Sequence, residues 1–174
     1  IWNGRIPCNK LTLIEGPAES GKSLLTIDLA ARVTCQVPMP GETGPGLEID
    51  RVVLLNRQDD LHDTILPRIR RAGAQLDKFC SLSNIVRRSE EDDDAVEDRR
   101  RLKLPVDFQF VECAMEYACG TLLIVDSLTS FCRSASDVQR TIDLLDDLAS
   151  RMGIPILATL SAKTSRNTRG EWVT

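Results

Sequence analysis

An α/β fold with a mostly parallel central sheet flanked by helices is predicted by three features of the sequence. Short apolar runs alternate with helix-period segments along the chain, the pattern produced by crossover-connected parallel strands. Two of the runs, Val52 to Leu55 and Leu122 to Val125, are apolar without interruption, as strands covered on both faces should be. A glycine-containing loop, Gly16 to Gly21, joins the first strand-like run to a helix-like segment.

The elements follow in order. Leu11 to Ile14 reads as a first strand ending at Gly16. A helix is predicted over Lys22 to Thr34, where Leu24, Leu25, Ile27, Leu29, Ala30 and Val33 cover most of the circumference and imply thorough burial. Three prolines and two glycines between Pro38 and Pro45 mark a loop, and Arg51 to Asn56 is a second strand. Asp60 to Ala72 has helical spacing but carries Pro67. Proline fits a first helical turn and disrupts an interior, so a short turn and then a helix from about Pro67 are expected. Ser83 to Val86 is expected as a brief third strand. Glu90 to Arg101, with seven acids and three arginines in twelve positions, reads as a solvated loop.

Helical signals resume at Pro105, with Phe108, Val111, Cys113, Met115 and Ala118 before a stop at Gly120. Thr121 to Asp126 is a buried strand. Asp137 to Met152 is an amphipathic helix closed by Gly153, and Pro155 to Leu160 is a further buried strand. A basic, polar tail from Lys163 to Arg169 follows.

Composition excludes several classes. A chain of 174 residues with 42% apolar and 28% charged residues matches one ordinary globular domain, not a disordered, collagen-like or coiled-coil chain. No apolar run approaches the ~20 residues of a membrane span. Ile1-Trp2-Asn3-Gly4-Arg5 has neither the features of a signal peptide nor an initiator methionine, so a fragment or a trimmed chain is expected. The net charge of −4 gives no overall field for nucleic acid, although a local basic strip could still supply one. Six cysteines without a C-x-x-C pair, and a single histidine, lack zinc-ligand spacing. Reduced, mostly buried thiols in a cytoplasmic protein are expected.

Chemistry concentrates in Gly16-Pro17-Ala18-Glu19-Ser20-Gly21-Lys22-Ser23, a complete G-x-x-x-x-G-K-[ST] loop between a strand and a helix. Glycines let the backbone curl so that its N–H groups face phosphate oxygens, and the following helix N-terminus adds a positive dipole. Lys22 would reach the β- and γ-phosphates and the Ser23 hydroxyl would ligate Mg²⁺, with Leu24 completing the nucleotide-contacting stretch. Asp126 ends a buried strand, where its carboxylate could accept hydrogen bonds from Mg²⁺-bound water or from Ser23. A neighbouring parallel strand is the position expected for it. ATP and Mg²⁺ are the cofactors implied.

Gly4-Arg5-Ile6-Pro7, Leu11 to Gly16 and Gly21-Lys22-Ser23-Leu24-Leu25 resemble the RecA-like AAA ATPases of the RepA replicative-helicase type. The likeness continues through Val53 to Asp60 and Asp63-Thr64-Ile65-Leu66-Pro67-Arg68. It returns at Leu123 to Phe131 and at Pro155 to Lys163. Asp-Asp-x-x-Asp-Thr-Ile-x-Pro-Arg is its more specific marker. The resemblance implies a RecA-like P-loop core with helices on both faces of the sheet, and a single ATPase domain over residues 1–174. It also implies a homo-oligomeric ring with ATP sites between subunits, and DNA replication of a mobile element as the setting.

Three departures bear on activity. Relatives carry a water-orienting glutamate where this chain has Gln58. A His-x-x-Lys sensor of the γ-phosphate is reduced to Leu160-Ser161-Ala162-Lys163, which keeps the lysine. The chain ends at Thr174, where the family continues, so truncation at the C-terminus is expected, and the missing part could hold an arginine finger.

A glutamine can orient water but cannot accept its proton, which makes slow turnover the expectation. Strand alternation would turn Asp59 away from the face of Gln58, leaving Asp60 as the substitute base. His62 could be a base, but an exposed polar turn residue is the better reading. For Arg68, Arg70 and Arg71 a solvated helix face is favoured. Lys163, Arg166 and Arg169 are compatible with single-stranded DNA, against the alternative of a solvated tail. Two functions stay open, an ATP-driven helicase-like motor and an ATP-binding switch with weak or no hydrolysis. A small-molecule kinase is disfavoured, because no acceptor-binding or arginine-rich lid segment is present.

Overall fold

A computed structural model describes residues 1–44, 46–87, 98–161, 165–166 and 172–173. In chain order the elements are β1 (Leu11–Gly16), α1 (Lys22–Thr34), β2 (Val52–Asn56), α2 (Leu66–Arg71), β3 (Phe79–Leu82), β4 (Asn84–Arg87) and β5 (Asp98–Arg101). They continue with α3 (Phe108–Tyr117), β6 (Leu122–Asp126), α4 (Leu128–Phe131), α5 (Ala135–Met152) and β7 (Ile156–Ser161). Two short strands, β8 (Ser165–Arg166) and β9 (Trp172–Val173), pair with each other.

Five strands form one parallel sheet in the order β1-β7-β6-β2-β3. Its central strands β2 and β6 are buried at every position, as their uninterrupted apolar runs require. Because side chains alternate along a strand, each run feeds two cores. Val53, Leu55, Leu123, Val125, Ile156 and Ala158 pack with Val111 and Met115 of α3 and Leu145 and Leu148 of α5. Val52, Leu54, Leu122, Ile124 and Leu157 pack with Leu29 and Val33 of α1 and Ile69 of α2. Helices therefore cover both faces. Each such fully buried Leu, Ile or Val contributes roughly 1.5–3 kcal/mol from apolar burial.

Local chemistry sets the helix ends. Asp60 begins a π-helical turn, Leu61–Ile65, by accepting hydrogen bonds from the His62 and Asp63 N–H groups at 2.7 and 2.9 Å. That turn runs directly into α2, with Pro67 in its first turn as expected. Ser134 and Asp137 form a reciprocal capping box at the start of α5. Gly153 ends α5 at φ +71°, a left-handed conformation that costs glycine little.

Several expectations need correction. The first turn of α1 is not buried: Leu24 is 61% exposed and Leu25 37%, because the helix begins beyond the edge of the sheet. The third strand of the sheet is β3, from Phe79, whose half-buried edge position left no strong apolar signal. Within the expected Ser83–Val86 strand, residues from Asn84 onward belong instead to an antiparallel hairpin with β5. The end of the predicted acidic loop, Asp98–Arg101, is strand β5; residues 90–97 lie outside the described residues. The helix α4 was not anticipated. The cysteines are not mostly buried: Cys8, Cys113 and Cys119 are exposed and the other three half-buried, all as free thiols. Among the described residues no helix is long and apolar enough to cross a membrane.

The hairpin is tied to the body by an ion pair. Arg100 of β5 donates two parallel hydrogen bonds, of 2.6 and 2.7 Å, to the carboxylate of buried Asp107, which also accepts from the Lys103 N–H at 2.9 Å. The Arg100 guanidinium holds the Asp107 carboxyl below its ordinary value of 3.8. A depressed folded-state pKa means stability that is complete above the unfolded value and is lost as pH falls through the folded one. Asp107→Asn should therefore cost about 1.5–3 kcal/mol at pH 6, the range for hydrogen bonds to a charged group. Urea unfolding at pH 6 and at successively lower pH should show this deficit narrowing below pH 3.8.

Candidate functional site

The sheet order decides which side chains meet. The strands run parallel, so β1, β6 and β2 all end at one edge. Gly16 is the last residue of β1, in register with Ser161 of β7. The chain then curls through Glu19 at φ +62° and Gly21 at φ +88° before α1 begins. Gly21 is the N-cap of α1 and supplies no side-chain cap, so the first helical N–H groups stay available to an anion at this terminus. A Cβ on Gly16 would stand 2.9 Å from the Ser20 hydroxyl, which would have to turn aside to admit it.

Lys22 lies inside the curl. Its ammonium donates to the Gly16 carbonyl at 2.9 Å and the Pro17 carbonyl at 2.6 Å, with the Ser20 Oγ at 3.5 Å. Ser23 is half-buried in the first turn of α1, and Leu24 beside it is exposed. The loop predicted from Gly16 to Ser23 thus has the strand, curl and helix start that phosphate binding needs.

Asp126 ends β6, 6% exposed, but β6 is not the neighbour of β1. Strand β7 lies between them, which corrects the expected adjacency. The inserted strand supplies a partner: Thr159 Oγ1 donates to Asp126 Oδ1 at 2.5 Å, and Thr159 is fully buried. Thr159 escaped the sequence reading, although a hydroxyl inside the apolar run Pro155 to Leu160 was a usable signal. Among the described residues no group of three or more His, Cys, Asp or Glu could hold a metal. A cation here would have Ser23 and Asp126 as protein oxygens, with water and phosphate oxygens for the rest, a donor set that suits Mg²⁺.

Gln58, Asp59 and Asp60 follow the end of β2. Strand alternation does not sort them, because β2 stops at Asn56, and all three line one cleft that no residue of the phosphate loop lines. The ends of β1 and β2 are three strand spacings apart, ~14 Å. Gln58 is exposed. Asp59 pairs with Arg68 at 3.0 Å and accounts for one of the three arginines read as solvated. Asp60 spends its carboxylate on two backbone N–H groups, which lower its pKa and weaken it as a base. His62 is exposed on the π-helical turn, as expected. Arg57 ties this segment to the loop after Asp126, donating to the Ser130 carbonyl at 2.7 Å. Lys163 and Arg169 lie outside the described residues, and for Arg166 only the backbone of β8 is described.

Thr159→Val keeps the shape of the side chain and removes the one hydroxyl that bonds Asp126. Leaving a buried carboxylate oxygen without this donor should cost about 1–3 kcal/mol of stability. Chemical denaturation of the two proteins at neutral pH measures it, and an unchanged midpoint would show that the bond contributes nothing.

No curated protein matches the chain. A family model does, that of the AAA domain, over residues 1–161. That match takes in β1 through β7, with the phosphate loop and Asp126 inside it. The chain belongs to the AAA domain family and is a nucleotide-binding ATPase with a five-stranded parallel α/β core.

Proposed function

We propose that this chain binds ATP with Mg²⁺ through Gly16 to Leu24 and Asp126, and hydrolyses it slowly as a helicase-type ATPase of the RepA kind. The observation that carries the reading is the closed phosphate loop on the same sheet edge as Asp126, with Thr159 of the inserted strand bonded to that carboxylate. The replication of a mobile element, as a setting, rests on the resemblance at Val53 to Asp60 and Asp63 to Arg68. Assembly into a homo-oligomeric ring, and single-stranded DNA at Lys163, Arg166 and Arg169, belong to the same proposal.

The division of labour follows from the residues. Loop N–H groups and the α1 terminus hold the phosphates, and Lys22 exchanges its loop carbonyls for β- and γ-phosphate oxygens. Ser23 and Asp126 would hold Mg²⁺, which when bound neutralises charge on the phosphates. Asp126 is kept in place by Thr159. Gln58 orients the attacking water through its amide oxygen and takes no proton from it. Asp60 is a poor substitute, since two backbone N–H groups favour its ionised form without needing the water's proton. A general base is worth roughly 10²–10⁴-fold, so its absence favours the second reading as well, a switch whose bound state carries the function.

Lys22→Ala removes charge at the phosphates and no core packing. Calorimetric ATP affinity should fall by at least about tenfold while thermal unfolding is unchanged, and equal affinity would exclude the loop as the binding site. Gln58→Glu should raise kcat by roughly tenfold or more with little change in KM, because ground-state binding is untouched. Loss of turnover in Asp60→Ala, with kcat unchanged in Gln58→Glu, would assign the base to Asp60 instead.

A further inference from the structure

A cleft of about 520 Å³ lies between the turn after β2 and the β4–β5 hairpin. That size is within the range of small-ligand sites. Its charged lining sorts into engaged and free groups. Arg57 is committed to the Ser130 carbonyl, Asp59 to Arg68, and Asp60 to two backbone N–H groups. Arg99 and Arg101 remain. Both are exposed and line the cleft from one face of β5, in register with Val86 and Asn84, which line it too. Arg100 between them turns the other way, to Asp107. Neither Arg99 nor Arg101 has a hydrogen bond or ion pair to a described residue.

A second observation comes from the floor. Asn56 lines the same cleft and is only 3% exposed. Its Oδ1 accepts from the Asp59 N–H at 3.0 Å, which leaves Nδ2 as the free end of the amide. No fully enclosed side-chain nitrogen or oxygen among the described residues lacks a partner, so this unbonded Nδ2 is not fully enclosed, and Asn56 is one of the residues that line the cleft. A largely buried donor without an acceptor is costly unless water or a ligand supplies one.

We infer that this cleft is a second phosphate-binding site, separate from the phosphate loop, in which Arg99, Arg101 and the Asn56 amide bind the oxygens. The uncommitted groups are donors, and two of them are guanidinium forks, which match phosphate oxygens in pairs. Two residues apart on a strand, the forks leave the backbone ~7 Å from each other, a spacing that serves two phosphates of one ligand or converges on one. Free pyrophosphate and the phosphodiesters of a nucleic-acid strand share this chemistry. Gln58 lines the cleft as well, so a bound phosphate would sit beside the residue assigned to the attacking water.

The test separates this site from the loop by working in the Lys22→Ala protein. Pyrophosphate is titrated calorimetrically into that chain and into the same chain carrying Arg99→Gln and Arg101→Gln, singly and together. Circular dichroism confirms the fold, and Arg133→Gln, an exposed arginine away from the cleft, controls for lost charge. Each cleft substitution should weaken binding by roughly tenfold or more, and Arg133→Gln should not. Equal affinity in Lys22→Ala and in the variant that also lacks both arginines would overturn the inference, as would equal losses from Arg133→Gln. A parallel anisotropy titration with a labelled oligothymidylate at the same ionic strength identifies the source. Loss of oligonucleotide binding with the arginine pair assigns the site to a nucleic-acid strand, and loss confined to pyrophosphate assigns it to a free phosphate ligand. Should Lys22→Ala leave ATP affinity intact, the loop reading fails while the arginine comparison still decides the cleft.

Discussion

Burial of both faces of the parallel sheet is the constraint from which the rest of this molecule follows. Once β2 and β6 are enclosed by helices on either side, no polar group can sit within them without a partner. Chemistry is pushed to the edge where the strands end, and three of the groups that matter are there: Gly16 closing β1, Asn56 closing β2 and Asp126 closing β6. Asn56 and Asp126 are directly in register, so the floor of the cleft and the Asp126 carboxylate stand opposite each other on neighbouring strands. The exception inside the sheet, Thr159, satisfies the rule by bonding Asp126.

Charge at this edge is partitioned, not simply accumulated. Of the acidic marker residues only Asp60 reads from the sequence as chemistry, yet it and Asp59 are both spent on architecture, Asp59 holding Arg68 and Asp60 starting the π-helical turn. Arg57 likewise spends its guanidinium on a carbonyl of the loop that follows Asp126. What these commitments leave uncommitted is positive or neutral: Arg99, Arg101, the Nδ2 of Asn56 and the amide of Gln58. An overall charge of −4 therefore coexists with a local surface suited to anions. The free acids of a chain say little until their hydrogen bonds are counted.

Much of the site was legible because its signals are local. A phosphate loop is a contiguous run whose glycines and lysine act on the backbone immediately around them, and α1 begins and ends where the pattern placed it. Strands β2 and β6 announced themselves by uninterrupted apolar runs, and β7 by a run broken only by Thr159. β3 did not, since an edge strand is only half-buried and needs no such run. The hairpin was hidden for a different reason: β5 is Asp-Arg-Arg-Arg, and only its pairing with β4 and the ion pair of Arg100 with buried Asp107 make it a strand. The exposure of Leu24 and Leu25 was missed because helical periodicity does not reveal where a helix overhangs the sheet.

By itself the sequence determined the alternation of strands and helices, the parallel sheet and the glycine-containing loop between β1 and α1, all of which depend on residues close together in the chain. The tertiary structure alone decided that β7 stands between β1 and β6, that Thr159 meets Asp126, and that Gln58 faces a cleft walled by Arg99 and Arg101. Strand order is set by how helices of different length and apolar surface pack across the sheet. Such contacts join residues tens of positions apart, and no pattern within a short window can encode them.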